Sequence, residues 1–257
     1  MVDLHHHILP GIDDGAADRE ESLAMARMAV EDGIRTIVAT PHHLNGRYVN
    51  PPERVRQAVD ELQAALDAAG IPLSILPGAE THFHAEYLQN LVAGKLLTLN
   101  QTGKYVFVEV PYAAAPPGLE SLVFDLQLAG VMPIIPHPER TEDFRQHPDK
   151  LYRLVKKGAL TQLTGSSLLG QFGKEAARFS FQLLEANLTH FVASDAHHQD
   201  RRRPKLAEAY QKIEDRLGRD KVEWLQVNAE KVVKGQVIYI PEPERLKTGG
   251  IFRRLLG

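Results

Sequence analysis

The chain of 257 residues is 43% hydrophobic and 25% charged, carries a formal net charge of −3 and contains no cysteine. This composition fits a globular protein with a sizeable core and excludes a disordered chain and a strongly basic nucleic-acid-binding protein. The absence of cysteine excludes disulfides, thiolate zinc sites and thiol nucleophiles. Because no long apolar run is present, we expect a cytoplasmic protein with no membrane span and no secretory signal.

The first fourteen residues, MVDLHHHILPGIDD, contain the densest group of potential metal ligands. Side chains alternate between the two faces of a strand, so His5 and His7 project together while His6 faces the other way. Two imidazoles on one strand face can bind a single metal ion. A solvated histidine cluster and an expression tag are the alternatives, although tags usually carry more histidines. Asp13 and Asp14 follow in a turn, and the residue types alone do not choose between them.

After this first strand, short apolar runs alternate with helical patterns. Six further strands are predicted from β-branched and apolar runs at 36–40, 73–76, 105–110, 131–135, 159–164 and 189–194. Helices are predicted from capping residues, prolines at their starts and glycines at their ends, at 18–33, 51–69, 84–93, 120–129, 148–157, 173–186, 204–217 and 221–234.

The repeated strand and helix units predict an α/β fold with a parallel sheet. Seven such units favour a closed or nearly closed barrel, with an open doubly wound sheet as the alternative. We therefore expect one barrel domain over residues 1–235 and a C-terminal tail over 236–257. The tail ends in basic and apolar residues, which predict a packed or frayed segment or, alternatively, contact with a partner or a membrane surface.

Nine polar candidates lie at or just after the carboxyl ends of predicted strands. They are His5, His7, Asp14, His42, Glu80, Glu109, His137, Asp195 and His197. In barrel enzymes these strand ends converge on the face that holds the active site. Nine nitrogen and oxygen ligands exceed the four or six that one ion takes, so we expect two to three divalent metals sharing a bridging carboxylate. Imidazole with carboxylate suits zinc, manganese or iron.

The remaining histidines are expected to lie at the surface or to support ligands, because a lone histidine is more often such a group than a ligand. They are His6, His43, His82, His84, His147, His190 and His198.

The motifs MVDLHHHILPGIDDG, TPHH, LPGAE, VEVPY, PHPER and SDAH occur in this order along the chain. Together they resemble the PHP (polymerase and histidinol phosphatase) superfamily, and more closely the manganese-dependent protein-tyrosine phosphatases of bacterial capsule and exopolysaccharide operons. The resemblance covers about residues 1–235 and implies a distorted (β/α)7 barrel with its metal site at the carboxyl ends of the strands. The implied reaction is hydrolysis of phosphotyrosine on a protein, in particular a bacterial tyrosine kinase.

The resemblance also implies roles for individual residues. A first metal would be held by His5, His7, Glu80 and Asp195, with Glu80 bridging; Glu109 and His137 would complete the second metal; and Asp14, His42 and His197 would hold the third. Arg140 and one arginine of 201–203, namely Arg202, would bind the phosphate. The alternative is that Arg140 pairs with Glu139 or Glu142 and that the three consecutive arginines form a solvated stretch.

A chain without cysteine can hydrolyse phosphotyrosine only without a thiol nucleophile, which favours the metal route. A small-molecule phosphatase, such as one acting on histidinol phosphate, is the main alternative. An exonuclease is disfavoured by the acidic charge balance, so we expect no nucleic-acid partner. An inactive metal-binding adaptor is disfavoured because all nine candidate ligands are present.

Overall fold

The computed structural model describes residues 1–246, which form nine strands and ten α-helices. The seven strand pairings are all parallel. The strands are β1 (Val2–His6), β2 (Thr36–Ala39), β3 (His42–His43), β4 (Ser74–Pro77), β5 (Glu80–His82), β6 (Tyr105–Glu109), β7 (Met132–Pro136), β8 (Leu160–Thr164) and β9 (Phe191–Ala193). The predicted α/β class with a parallel sheet is therefore confirmed.

The strands form two sheets, one in the order β1-β2-β4 and one in the order β3-β5-β6-β7-β8-β9. Two strand segments pass from the first sheet into the second. β2 ends just before Pro41, which has no N–H to continue a ladder, and β3 begins directly after it. β4 and β5 are separated at Gly78, where a Cβ would lie 2.7 Å from Cγ1 of Val38, so that only glycine fits this close approach.

The two sheets also meet on their other side, where β1 lies beside the segment that follows β9. His6 and Ala196 form a parallel bridge. The N–H of His7 donates to the carbonyl of Ala196 at 2.9 Å, and the N–H of Asp195 donates to the carbonyl of His5 at 2.9 Å. These bonds bring the first and last strand ends together, and with them the HHH and SDAH motifs.

The helices are α1 (Arg19–Glu31), α2 (Pro52–Ala68), α3 (Tyr87–Val92), α4 (Leu119–Leu128), α5 (Glu142–Gln146), α6 (Pro148–Lys156), α7 (Gly165–Leu168), α8 (Lys174–Glu185), α9 (Leu206–Leu217) and α10 (Arg219–Val233). Each predicted helix is present, and the short helices α5 and α7 are additional. The predicted N-cap of α1 is confirmed, since the side chain of Asp18 accepts from the N–H of Glu21 at 2.9 Å.

Two clusters of buried apolar side chains surround the strands. The larger lies largely between strands and helices. The smaller is formed mainly by strand residues, including Leu4, Phe107 and Ile134, together with Val232 of α10. The ring of His5 lies 4.9 Å from that of Phe107, so this smaller cluster supports the first predicted ligand.

The first residues of the predicted tail pack on the body of the protein. The hydroxyl of Tyr105 donates to the carbonyl of Gln236 at 2.6 Å, Ile238 is buried, and the N–H of Glu244 donates to the carbonyl of Ala186 at 2.8 Å. The basic and apolar residues 251–256, for which partner or membrane contact was the alternative, lie outside the described residues. Within residues 1–246, no helix has both the length and the apolarity needed to span a bilayer.

Candidate metal centre

The nine predicted ligands lie together in one group at the strand ends, here called the ligand cluster. Three overlapping sets of side chains bring their ligand atoms within 4.8 Å of one another. These sets are His5, His7 and Glu80; His42, Glu80 and Glu109; and His7, Asp14, His42 and His197.

The other two predicted ligands contact these sets directly. Nε2 of His137 lies 2.6 Å from Oε1 of Glu80. Oδ1 of Asp195 lies 3.5 Å from Nε2 of both His5 and His7. Residues from six strand ends, far apart in sequence, thus meet within hydrogen-bonding or near-bonding distance.

Hydrogen bonds fix which nitrogen of His5 and of His7 is available as a ligand. Gln162 donates its Nε2 to the carbonyl of Leu163 at 2.7 Å, so its Oε1 accepts from Nδ1 of His5 at 2.8 Å. Nδ1 of His7 donates to Oδ2 of Asp13 at 2.7 Å. In its neutral form, each imidazole therefore carries the proton on Nδ1 and directs an Nε2 lone pair into the cluster.

These two Nε2 atoms are 3.1 Å apart. Two lone pairs at this distance repel unless a cation lies between or beside them. Imidazole nitrogens and carboxylate oxygens in this arrangement match the donor set of zinc, manganese or iron sites, so the cluster fits divalent metal ions.

The carboxylates of the cluster are held in their ionised form. Burial raises the pKa of Glu80, but the positive charge of protonated His5 and His42 outweighs burial and holds the pKa well below its usual range. Burial likewise opposes ionisation of Asp195, and Arg202 and His5 outweigh it, so that its pKa is also well lowered. An ionised carboxylate is the form that binds a metal.

The pKa values of two histidines in the cluster are raised. Burial disfavours protonation of His42, but the negative charge of Glu80 and bonding to Glu109 outweigh it and raise the pKa of His42 to about 10. Burial also opposes protonation of His5, and Glu80 and Asp195 outweigh it and raise its pKa. The ligand cluster therefore attracts positive charge.

Adjacent aspartates 13 and 14 have different environments. Asp13 is an acceptor for three donors: Nδ1 of His7, the N–H of His42 at 3.1 Å and the N–H of Gly15 at 2.9 Å. Asp14 is partly exposed, and its Oδ1 lies 3.4 Å from Nε2 of His42. Asp14 therefore lies against the predicted ligand His42, whereas Asp13 bonds the outer ring nitrogen of the predicted ligand His7.

The backbone is strained at two predicted ligands. His137 has φ 36° and Asp195 has φ 53°, the left-handed region that non-glycine residues rarely adopt. Both follow the ends of strands, and such strain is typical of functional sites. In the turn before α1, a Cβ on Gly15 would lie 2.0 Å from the carbonyl oxygen of His7, so that the turn can close over His7 only with glycine there.

Two arginines border the ligand cluster, and both bond the same carboxylate. Nη1 of Arg140 donates to Oδ2 of Asp195 at 2.6 Å, and Nη2 donates to the hydroxyl of Tyr112 at 2.6 Å. Nη2 of Arg202 donates to the same Oδ2 at 2.5 Å. The flanking arginines at 201 and 203 are exposed. Of the three consecutive arginines, Arg202 is thus the one beside the cluster.

The alternative partners of Arg140 are engaged elsewhere. Glu139 is buried and accepts from the hydroxyl of Ser167 at 2.6 Å. Glu142 accepts from the side-chain amide of Gln146 at 2.7 Å. Arg140 instead pairs with Asp195 of the ligand cluster.

Most of the remaining histidines are not arranged as ligands. Burial and the charges of His7 and His5 lower the pKa of His6 to about 3, and within residues 1–246 its ring nitrogens have no hydrogen-bond partner. Nδ1 of His190 accepts from the N–H of Thr161 at 3.0 Å. His82 is the exception, because its Nδ1 lies 3.2 Å from Oε2 of Glu109, at the edge of the cluster.

Four contributors to the site were not predicted: Asp13 as an orienting group, Gln162, Tyr112 and Phe172, whose ring centre lies 4.5 Å from Cζ of Arg140. The strand predicted at 159–164 was the one without a predicted ligand at its exit, and Gln162 is one of three buried polar residues in it, with Thr161 and Thr164. A glutamine in a strand expected to be buried was the available signal for it. Phe172 lies in the loop between α7 and α8 and has no signal of this kind in the sequence.

The sequence matches the family model described as capsular polysaccharide synthesis, CpsB/CapC, over residues 1–234. It is 47% identical over 252 residues to tyrosine-protein phosphatase YwqE of Bacillus subtilis (strain 168), covering 98% of this chain and 99% of the relative. It is 30% identical over 247 residues to tyrosine-protein phosphatase CpsB of Streptococcus pneumoniae, covering 93% of this chain and 100% of the relative.

The structure superposes with a TM-score of 0.94 on a chain from the crystal structures of YwqE from Bacillus subtilis and CpsB from Streptococcus pneumoniae, described as unique metal-dependent tyrosine phosphatases. That match has 47% sequence identity and covers 96% of this chain and 100% of the other. The phosphotriesterase homology protein from Escherichia coli superposes with a TM-score of 0.57 at 13% identity, over 90% of this chain and 98% of the other, which indicates a shared fold alone.

Proposed function

The chain belongs to the CpsB/CapC family of capsular polysaccharide synthesis proteins, and we propose that it is a metal-dependent phosphomonoester hydrolase that acts as a tyrosine-protein phosphatase. The observation that carries this proposal is the ligand cluster, with two arginines at its border, in a chain that contains no cysteine. A thiol nucleophile is therefore excluded, and the cluster supplies the alternative route.

We assign the ligands to two or three metal ions, with manganese as the proposed metal and iron or zinc as alternatives. The first would be held by His5, His7, Glu80 and Asp195; the second by Glu80, Glu109 and His137; and the third by Asp14, His42 and His197. The short contacts among these side chains support this assignment. When bound, divalent metals would neutralise charge on the phosphoryl oxygens and activate a water molecule for attack on phosphorus.

The arginines are proposed to hold the phosphate over the ligand cluster. Each guanidinium is anchored on Asp195, which fixes its position relative to the metal ligands. In the part of the chain that the structure describes, the buried Nε of Arg202 has no hydrogen-bond partner, so a donor remains for a phosphate oxygen. A guanidinium is a planar fork that suits two phosphate oxygens, and such charge-assisted bonds are the strong ones.

The leaving group suits this site. A tyrosyl oxygen has a pKa of about 10, far below that of a serine alkoxide, so it needs less protonation as the ester bond breaks. Phosphotyrosine is therefore the substrate that makes the smallest demand on a general acid.

The proposed partner is a phosphotyrosyl protein, in particular a bacterial tyrosine kinase of capsule or exopolysaccharide synthesis. The description of the family as capsular polysaccharide synthesis proteins supports this role. The absence of cysteine, and hence of disulfides, is compatible with the proposed cytoplasmic location.

We further propose that residues 1–235 form a distorted seven-stranded (β/α) barrel followed by a tail. The passage of two strand segments between the sheets, and the bonds of β1 to residues 195 and 196, support closure. Closure would place all the strand exits on one face, where barrel enzymes carry their sites.

The function is tested with three substrates in one preparation: a phosphotyrosyl peptide, the matching phosphoseryl peptide and histidinol phosphate. Activity is measured after chelation and again with added manganese. We expect metal-dependent hydrolysis with the highest kcat/KM for the phosphotyrosyl peptide. An equal or higher kcat/KM for histidinol phosphate would favour the small-molecule phosphatase instead, and full activity after complete metal removal would refute the metal route.

A further inference from the structure

A cavity of about 370 Å³ opens directly beside the ligand cluster. Its walls include Tyr112, Arg140, Phe172 and Lys174. Arg140 is shared with the cluster, because its Nη1 bonds Asp195. Tyr112 also connects the cavity to the ligand cluster, since its ring lies 5.5 Å from that of His137. The cavity therefore begins one side chain away from the proposed metal ligands.

Two aromatic rings of the cavity wall lie against Arg140. Cζ of Arg140 lies 4.7 Å from the ring centre of Tyr112 and 4.5 Å from that of Phe172. Cζ of Arg202 lies 5.9 Å from the ring of Phe172. Phe172 is thus held against both guanidinium groups by cation–π contacts.

The loop that carries Phe172 has a defined conformation. Glycines occupy left-handed positions on both sides, Gly170 with φ 85° and Gly173 with φ 92°. These glycines permit the turn between α7 and α8 that brings the ring of Phe172 to the arginines. Phe172 is only partly buried, so part of its ring remains available to a ligand in the cavity.

We infer that this cavity receives the phenyl ring of phosphotyrosine and that Phe172 is a specificity-determining residue that favours aryl over alkyl phosphate esters. The inference rests on the proposed function. A phosphate held by Arg140 and Arg202 has its ester oxygen beside the aromatic walls. An aryl ring attached to that oxygen reaches Phe172 and Tyr112, whereas the single methylene of phosphoserine does not. Offset-stacked or edge-to-face contacts between the rings then stabilise the aryl ester alone.

The test compares kcat/KM for a phosphotyrosyl peptide and for its phosphoseryl counterpart in the metal-loaded enzyme. In Phe172→Ala, loss of the aromatic contact should lower kcat/KM for the phosphotyrosyl peptide about tenfold and leave the phosphoseryl value within about twofold. Phe172→Leu keeps apolar bulk without an aromatic face, so its kcat/KM for the phosphotyrosyl peptide should lie between those of the wild type and Phe172→Ala. Phe124 of α4 is 58% exposed and is not part of the cavity, so Phe124→Ala is the matched control and should change neither value.

Inorganic phosphate separates ring recognition from support of the arginines, because phosphate has no ring. Its inhibition constant should be unchanged in Phe172→Ala. Two results in Phe172→Ala would overturn the inference while leaving the phosphatase proposal intact. One is an unchanged ratio of the kcat/KM values for the two peptides, and the other is an equal fall in both kcat/KM values together with weaker inhibition by phosphate. A wild-type enzyme that hydrolyses histidinol phosphate but not the phosphotyrosyl peptide would refute the proposed function itself, and the inference with it.

Discussion

Replacement of Asp13 tests whether the ligand cluster depends on an oriented imidazole. In the structure, Asp13 accepts Nδ1–H of His7 at 2.7 Å, which leaves Nε2 as the ligand atom, and it also bonds the N–H of His42. Asp13→Ala removes this acceptor and allows His7 to rotate or to change its tautomer. Loss of such a supporting group typically costs about 10–100-fold in metal affinity or activity.

Asp13→Asn separates the contribution of the carboxylate charge from that of the hydrogen bond. The amide oxygen can still accept from His7 and His42, but the bond is no longer charge-assisted, and such bonds are roughly twice as strong as neutral ones. We therefore expect metal affinity to decrease in the order wild type, Asn, Ala. The loss of activity in the Ala variant should be partly reversed by excess manganese, since the proposed ligands remain.

The assay is manganese titration of the chelated protein, with bound metal and phosphotyrosyl peptide hydrolysis followed together. The control is Asp60→Ala on the exposed face of α2, which removes an aspartate far from the ligand cluster. Wild-type metal affinity in Asp13→Ala would refute the orienting role, and equal losses in both Asp13 variants would refute the graded effect of charge.

Three further predictions concern a proposed ligand, the two arginines and a buried histidine outside the ligand cluster. His137→Ala should lower bound metal and abolish turnover, as measured by metal analysis and single-turnover kinetics; wild-type metal content would contradict its assignment as a ligand. Arg140→Lys and Arg202→Lys keep the charge but lose the fork, so each should lose about 10–100-fold in kcat/KM at unchanged metal content; normal kinetics in both would make the arginines structural. Burial, with a smaller effect of a nearby lysine, lowers the pKa of His190 from 6.5 to about 3. As the pH falls, the unfolded chain therefore binds the extra proton first, and the protein should lose about 1 kcal/mol of stability between pH ~6.5 and pH ~5.5. His190→Asn should remove this share of the loss in denaturant titrations at both pH values, and exposed His147→Asn should not.

The parallel α/β class followed from residue pattern because buried parallel strands are short apolar runs and the helices between them carry capping residues and terminal glycines. The strands β3 and β5, of two and three residues, could not be predicted, because segments this short show no period. β9 also has three residues, but it was predicted as part of the longer run 189–194. Both β3 and β5 carry predicted ligands, His42 and Glu80. Their positions were nevertheless predicted, since each follows the turn residues that end an apolar run.

The supporting residues of the site were harder to predict than its ligands. A ligand is recognised by residue type and by its place at a strand end. The roles of Asp13 and Gln162 depend instead on which ring nitrogen of a histidine each one bonds. That choice is a matter of tertiary geometry, and Asp13 and Asp14 are indistinguishable by composition. Their separation into an orienting group and a candidate ligand required the positions of His7 and His42.

Glu80 shows why the number of metals is a property of the whole cluster. Its Oε2 lies 3.3 Å from Nε2 of His5, 3.4 Å from Nε2 of His7 and 3.0 Å from Nδ1 of His42, while its Oε1 contacts His137. A carboxylate that contacts the ligands of different proposed metals can be shared between those metals. Because an anion between two cations offsets their mutual repulsion, binding of one ion should not prevent binding of the next. The shared position of Glu80 therefore favours a cluster that fills as a unit over a set of independent sites.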